Sequence, residues 1–516
     1  MSPVPLDSVA IVVGGTDNVA VVKHGIRTGA QVELSDGRIL EVNADIGPGH
    51  RFAINEIPAG EFVRQYDQPI GTSCGLGPGD AVTETTMNNE VPVIRDLPDN
   101  LSNPGPEYIE PLPTFPGFLR PDGRTGTRNF LLILPTSMCS SHEAMQISML
   151  AEFQHYSREK FPNIDGVVAI PHSKGCGCSD GSNLDITMRT LANYADHPNV
   201  GGVLMLELGC EKTNQTVVDQ WLGEHGGFSW DKPVRRIGVQ TEGGTEATVL
   251  RGLELVREML PEVNNAERTP RPVSEITLGV KCGGSDGFSG LSANPALGHA
   301  SDLLIRRRGT VLITEVPEFC GAEHVLAWRA KDVKTGQAVY DMVDWYKEYA
   351  GAFGTTLGEN PSPGNKAGGL LNIAIKSLGA IAKAGSTRVE GVTDYAARPD
   401  GRGLQLMQGP GYDQESTPGL VASGSNVVVF TTGRGTTIGN AICPVIKLSS
   451  NHETYERMKY DIDLDAGSVI SGKESIEEVG QRVYDHVVAV AGGTAVHAET
   501  TKHREFQIWS ECSVSL

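Results

Sequence analysis

The sequence predicts an α/β protein in two parts: a small all-β module, then a large parallel-sheet unit of two lobes. Three observations carry this. Residues 1–91 hold short alternating runs such as "VAVVKHG" and "AQVELSDGRILEV", broken by Gly, Pro and Asp-Gly turns. Residues 92–116 hold seven prolines in 25 residues, an extended linker that forms neither helix nor central strand. Past Phe118, continuous apolar runs end in small or polar residues, as strands buried on both faces do.

The elements follow in order. In the module, "SDGRI" reads as a hairpin turn. The large part shows strands at "FLLILP", "GVVAI", "GVLMLEL", "RIGVQ", "ITLGVKC", "TVLITE" and "NVVVFTT". Helical stretches such as 185–196 and 245–260 separate them. The expected division is a first lobe over 117–270 and a second over 271–516.

Composition bounds the function. At 516 residues, with 39% hydrophobic and 21% charged, the chain supports two or three cores. No apolar run reaches the ~20 residues that span a bilayer, and the start lacks signal-peptide features. A cytoplasmic protein is expected, its nine cysteines thiols rather than disulfides. The formal charge of −20 argues against nucleic acid but allows a locally basic pocket for a small anion. It leaves a homo-oligomer open.

Cys139, Cys176, Cys210 and Cys282 each fall where an apolar run ends. Ligands of open α/β sheets bind at carboxyl ends of strands, so the four are candidates for a shared site. Cysteine as a small buried hydrophobe is the alternative at each place. "PHSKGCGCSDGS" (171–182) lacks the two-residue spacing of a redox pair and the paired spacings of a closed zinc site. It reads as a glycine turn presenting His172 and Cys176.

Further polar turns collect at strand ends. "CGGSDGFSGLSANPALG" carries Gly283, Gly284, Ser285, Asp286, Ser289 and Asn294, amides and side chains suited to a carboxylate. "TEVPE" places Glu315 and Glu318 after a strand. "ENPSPGNKAGG" offers Asn360, Asn365 and Lys366, and "TTGRGT" offers Arg434, whose fork matches a carboxylate.

These segments, with "GFLRPDGRTGTRN" (117–129) and "LGCE" (208–211), resemble the altronate and galactarate dehydratase family. "TDNVAVV", "GHRFAINEIPAGE" and "YDQPIG" resemble its small β-clip (SAF) module. "EVPEFCGAEHVL" and "NPSPGNKAGG" are closer to the altronate branch, and "HSKGCGCSDG" departs from both branches in Cys178. The resemblance implies a hydro-lyase that uses Fe(II), with Mn(II) or an iron–sulfur cluster as alternatives. Its implied product is a 2-keto-3-deoxy acid made from a sugar acid, altronate first and galactarate as the alternative. A sugar-acid sensor is the remote, non-enzymatic reading. A sulfo-lyase branch carries its small module on a separate chain, unlike the fused arrangement here.

The assigned roles follow from that chemistry. His172, Glu211 and Lys366 are the catalytic candidates. Cys139, His172, Cys176, Cys210 and Cys282 are the metal candidates. Arg128, Asn129, Gly283, Gly284, Ser285, Asp286, Asn294, Glu315, Asn365, Lys366 and Arg434 are the substrate contacts.

Overall fold

The computed structural model describes residues 3–225 and 227–511. The β module comes first. Val19–Val22 sits between Ala10–Ile11 and Arg51–Ala53 in a four-stranded antiparallel sheet completed by Ala81–Val82. Gln31–Glu33 and Ile39–Glu41 pair antiparallel around the Asp36-Gly37 turn, with Gly37 at φ 82°, so the expected hairpin is present.

The linker does not float. The Arg95 guanidinium pairs with Asp344, Asn103 Nδ2 donates to the Ala330 carbonyl at 2.7 Å, and Arg388 donates to the Asn103 carbonyl at 2.7 Å. It then becomes a strand, Thr114–Leu119, paired antiparallel with Arg268–Pro272.

The first lobe is a four-stranded parallel sheet. Its strands are β1 (Phe130–Pro135), β2 (Gly166–Ala169), β3 (Val200–Glu207) and β4 (Val234–Gly238), in the order β2-β1-β3-β4. The second lobe is a seven-stranded parallel sheet. Its strands are β5 (Thr277–Cys282), β6 (Thr310–Ile313), β7 (Val389–Thr393), β8 (Gly403–Met407), β9 (Val427–Thr432), β10 (Val445–Ser449) and β11 (Leu464–Asp465), in the order β7-β8-β6-β5-β9-β10-β11.

Every residue of β1 is buried, as the unbroken run "FLLILP" requires. Its side chains alternate between two cores. Leu131 and Ile133 meet Ile147, Val256 and Met259 of the helices Ser141–Gln154 and Thr245–Val263. Leu132 and Leu134 join a core continuous with the second sheet. Each such aliphatic side chain contributes about 1.5–3 kcal/mol through burial. The two lobes are thus fused through one shared core.

The β module docks on the second lobe backbone to backbone. A Cβ at Gly287 would lie 2.2 Å from the Gly49 carbonyl oxygen, and a Cβ at Gly369 equally close, so only glycine permits the approach. Asn372 Nδ2 donates to the Ile70 carbonyl at 2.7 Å across the same seam.

Candidate active site

Both sheets reverse strand order around a central strand, β1 in one and β5 in the other, and both switch points carry the polar turns. Around β1 the turns after β1, β2 and β3 bear Cys139, Cys176 and Cys210, all exposed. Two links fix these turns together. Met138 N donates to the Lys174 carbonyl at 2.6 Å, joining the Cys139 turn to the Cys176 turn. Glu211 accepts from Thr136 Oγ1 at 2.7 Å, Ser137 Oγ at 3.2 Å, and the Leu208, Gly209 and Cys210 amides at 2.7–3.0 Å, joining the Cys139 turn to the Cys210 turn.

Two of the catalytic candidates, Glu211 and His172, are engaged by the protein's own groups. Burial raises the Glu211 carboxyl, but the Gly209 amide and its companion donors outweigh that and hold it below the usual range. Accepting these bonds, Glu211 clips the two turns together. His172 is likewise spent. Its Nε2 donates to the Pro135 carbonyl at 2.9 Å, and its Nδ1 accepts from Lys174 N at 3.2 Å. Burial lowers its pKa to about 4. Neither ring nitrogen is open to a metal or a substrate proton.

Cys282 belongs to the other switch point. It ends β5, buried, with Lys383 Nζ 3.1 Å from its Sγ and a Glu318 oxygen at 3.4 Å. Glu315 lies beside it in the left-handed region (φ 75°, ψ 50°), strain that a non-glycine residue keeps only when its surroundings enforce it. They do: Lys383 pairs with Glu315 at 2.8 Å, Lys281 pairs with its other oxygen, and Cys282 N donates to it at 3.1 Å. Lys281 also pairs with Asp413 at 2.8 Å, and Lys376 with Glu318 at 2.8 Å. Cys282, Glu315 and Glu318 are, among the described residues, the one trio of such ligand atoms within 4.8 Å. Three lysines already neutralise them, however, so a metal ion would have to displace ammonium groups. The exposed thiols of Cys139, Cys176 and Cys210 have no such competitor in contact and fit iron better by donor chemistry.

The remaining substrate candidates sort by geometry. Gly284 (φ 60°) turns the chain so that its carbonyl accepts from Gly433 N at 3.1 Å and Arg434 N at 2.9 Å. Gly283 N donates to the Thr431 carbonyl at 3.0 Å. Asn365 caps the helix Pro363–Ala367 reciprocally with Ser362 and donates to the Ser285 carbonyl at 2.8 Å. Asp286, raised by burial, accepts from Ser289 Oγ at 2.9 Å, Ser450 Oγ at 2.8 Å and Asn451 Nδ2 at 3.0 Å. A Cβ at Gly433 would stand 2.2 Å from the Asp286 carboxyl carbon. Ser285 Oγ is buried without a partner among the described residues.

Others are structural. Arg128 is buried, forked onto Glu499 at 2.6 and 2.8 Å. Asn129 bonds the carbonyls of Asn163 and Val263, and Asn294 bonds Thr431 and the Gly379 carbonyl. Lys366 is half-exposed and pairs at 2.6 Å with Glu84 of the β module, a tie across the seam.

Between module and second lobe lies a cavity of about 660 Å³ lined by Asp286, Arg434, Lys23, His24, His452 and Arg457. Among the described residues the Arg434 guanidinium carries no hydrogen bond or ion pair. His452 Nδ1 lies 2.8 Å from Asp465. The sequence reading missed Lys23, His24 and His452, which sit in no glycine-rich motif, Lys281, which lies in a run read as plain strand, and Lys376 and Lys383, which lie in no stretch it singled out.

A cavity of mixed charge at the strand ends of the second α/β lobe, with a small β module on its other side, is the setting of a ligand-binding site. Three domain families match the chain: "Altronate/galactarate dehydratase SAF domain" over residues 8–89, "D-galactarate dehydratase/Altronate hydrolase, second domain" over 117–264, and "D-galactarate/Altronate dehydratase, C-terminal" over 273–514. The altronate dehydratase of Bacillus subtilis (strain 168) is 34% identical over 96% of this chain and 97% of its own. That of Escherichia coli (strain K12) is 34% identical over 96% and 97%. The galactarate dehydratase (L-threo-forming) of Escherichia coli (strain K12) is 35% identical over 94% and 92%. The chain belongs to the altronate/galactarate dehydratase family and is an enzyme, a carbon–oxygen lyase. No helix of the described residues is long and apolar enough to cross a membrane.

Proposed function

We propose that this enzyme dehydrates a sugar acid, altronate before galactarate, to a 2-keto-3-deoxy acid. The observation that carries the reading is the free Arg434 guanidinium in the cavity between module and second lobe. An anion must be drawn in against an overall charge of −20, which requires a local cation without a protein partner. Lys23 and Arg457 line the same cavity and add positive charge.

Dehydration removes the proton at C2, beside the carboxylate, and expels hydroxide from C3. The resulting enol becomes the 2-keto acid by tautomerisation, and the two lost fragments make one water. The base must reach C2 while Arg434 holds the carboxylate. His452 is the base of this reading: it lines the cavity, with Asp465 2.8 Å from Nδ1 and Glu456 3.9 Å from Nε2. Asp286, raised by burial, lines the same wall and orients Asn451.

Iron is proposed at Cys139, Cys176 and Cys210. When bound, it would supply Lewis acidity, but none of the three cysteines lines the Arg434 cavity, so no step above is assigned to it.

The experiment is a screen of aldonates and aldarates with anaerobically prepared enzyme, reading 2-keto-3-deoxy acid. Turnover of altronate above galactarate is expected. Turnover of neither rejects the substrate assignment. Iron content and a visible absorption band, lost in Cys176→Ser and kept in Cys282→Ser, test the cofactor site independently.

A further inference from the structure

The β module buries a guanidinium that no carboxylate of the fold pairs. Arg51 stands opposite Val21 on one neighbouring strand and Val82 on the other, so its side chain leaves the sheet on an apolar face. Its Nε donates to Gln65 Oε1 at 2.8 Å, while Nη1 and Nη2 have no hydrogen-bond partner among the described residues. The Gln65 amide cannot be turned round, because Arg51 Nε fixes which end is the oxygen. Its Nε2 is therefore a third buried donor without a partner. Both residues are 0% exposed.

The carboxylates that act on the neighbouring Tyr66 are turned to other donors. Asp17 accepts from the Gly14, Tyr66 and Asp67 amides at 2.8–3.1 Å, and Asp286 from Ser289, Ser450 and Asn451. Burial lowers the Arg51 pKa only to about 10, so the group is charged at neutral pH. A buried charge is costly unless it is paired, and a set of donors alone pairs with an anion. Size selects which anion. The Tyr66 hydroxyl packs so closely on the second lobe that a Cβ at Gly290 would stand 2.4 Å from it. So closed a seam excludes a sugar acid, whereas a halide, little larger than a water molecule, accepts from several donors at once.

We propose that Arg51 and Gln65 bind a chloride ion inside the β module, and that this ion helps fasten the module to the second lobe. The same face carries Val21, which shares one apolar cluster with Phe288 and Leu291 of that lobe, so an ion that neutralises Arg51 lets the face pack dry. Neither Arg51 nor Gln65 lines the Arg434 cavity, and the site stands apart from the catalytic reading.

The test is thermal unfolding of the full chain, dialysed into sodium methanesulfonate and titrated with sodium chloride at constant ionic strength. The wild-type midpoint should rise by about 2 °C and level off, as mass action at one site requires. Arg51→Met should lose the response, whatever its own midpoint. Gln65→Glu sets a carboxylate against Arg51, so it should ignore chloride and match, in methanesulfonate, the wild type in saturating chloride. Crystals grown with sodium bromide in place of chloride should show an anomalous peak bonded to the Arg51 guanidinium. A wild-type midpoint indifferent to chloride, an Arg51→Met or Gln65→Glu protein that responds as wild type does, or a water and no bromide beside Arg51 overturns the proposal. A response to acetate as strong as that to chloride overturns the choice of a halide.

Discussion

The ammonium nitrogen of Lys383 lies 3.1 Å from the thiol sulfur of Cys282, and neither side chain reaches solvent. The same nitrogen pairs with the strained Glu315 at 2.8 Å. Lys383 therefore neutralises a buried carboxylate that Lys281 alone cannot serve at both oxygens.

Lys383→Met should cost about 3–5 kcal/mol of stability, because it strands the charge on Glu315. Cys282→Ala removes an uncharged group and should cost less. Urea unfolding of both variants measures the difference. A Lys383→Met loss no larger than that of Cys282→Ala would show that the network is not interdependent.

The thiols should divide by reactivity. Burial, with Glu315 adding to it, pushes the Cys282 thiol up to about 12, so it stays protonated and shielded at neutral pH. Iodoacetamide on native, iron-free protein should modify Cys139, Cys176 and Cys210 while sparing Cys282 and Cys443. Mass spectrometry of the digested protein reads the sites. Iron loading should protect the first three, and modification of Cys282 in folded protein would contradict the burial assigned to it.

His172 sets a pH dependence. Its pKa is about 4 folded and near 6.5 unfolded, so between those values the unfolded chain binds the extra proton. The stability is fully present above pH 6.5 and is lost as the pH falls toward 4, up to about 3 kcal/mol. His172→Gln, which keeps an amide donor for the Pro135 carbonyl, should flatten the profile over that window. Denaturant midpoints at pH 7 and pH 4.5 for both proteins decide it; parallel profiles exclude His172 as the source.

Arg434→Ala should lower kcat/KM about tenfold to a hundredfold with the fold intact, and Arg434→Lys should recover only part. An Arg434→Ala enzyme within about twofold of wild type would mean that Lys23 or Arg457 holds the anion instead.

Much of this was legible in the chain. Unbroken apolar runs located β1, β5 and β9, because strands covered on both faces leave no room for polar alternation. β7 and β8, "VEGVT" and "GLQLM", passed unnoticed, being short and mixed in character. The turns after β5 and β9 did meet, Gly284 accepting from Gly433 and Arg434, since the topology sends every strand of a parallel sheet the same way, whereas 359–369 follows a helix rather than a strand. What the sequence hid was which polar groups were already satisfied. His172 and Glu211 look like catalytic residues until their backbone partners, Pro135 and Gly209, are in view. The lysines that neutralise Glu315 and Glu318 stand 34 (Lys281), 68 (Lys383) and 58 (Lys376) residues from the carboxylates they pair with, distances no local pattern spans.

Residues 503–511 close the region beside the cysteine turns. The Phe506 ring stands edge-on to those of His172 and Tyr194, Gln507 bonds Glu415 at 3.0 Å, the Ser510 hydroxyl meets Lys174, and Glu511 N donates to Asn183 at 2.8 Å. Ile508 and Trp509 of the same segment are buried in the core that joins the two sheets, so one stretch of chain both walls the His172 and Cys176 turn and anchors itself between the lobes.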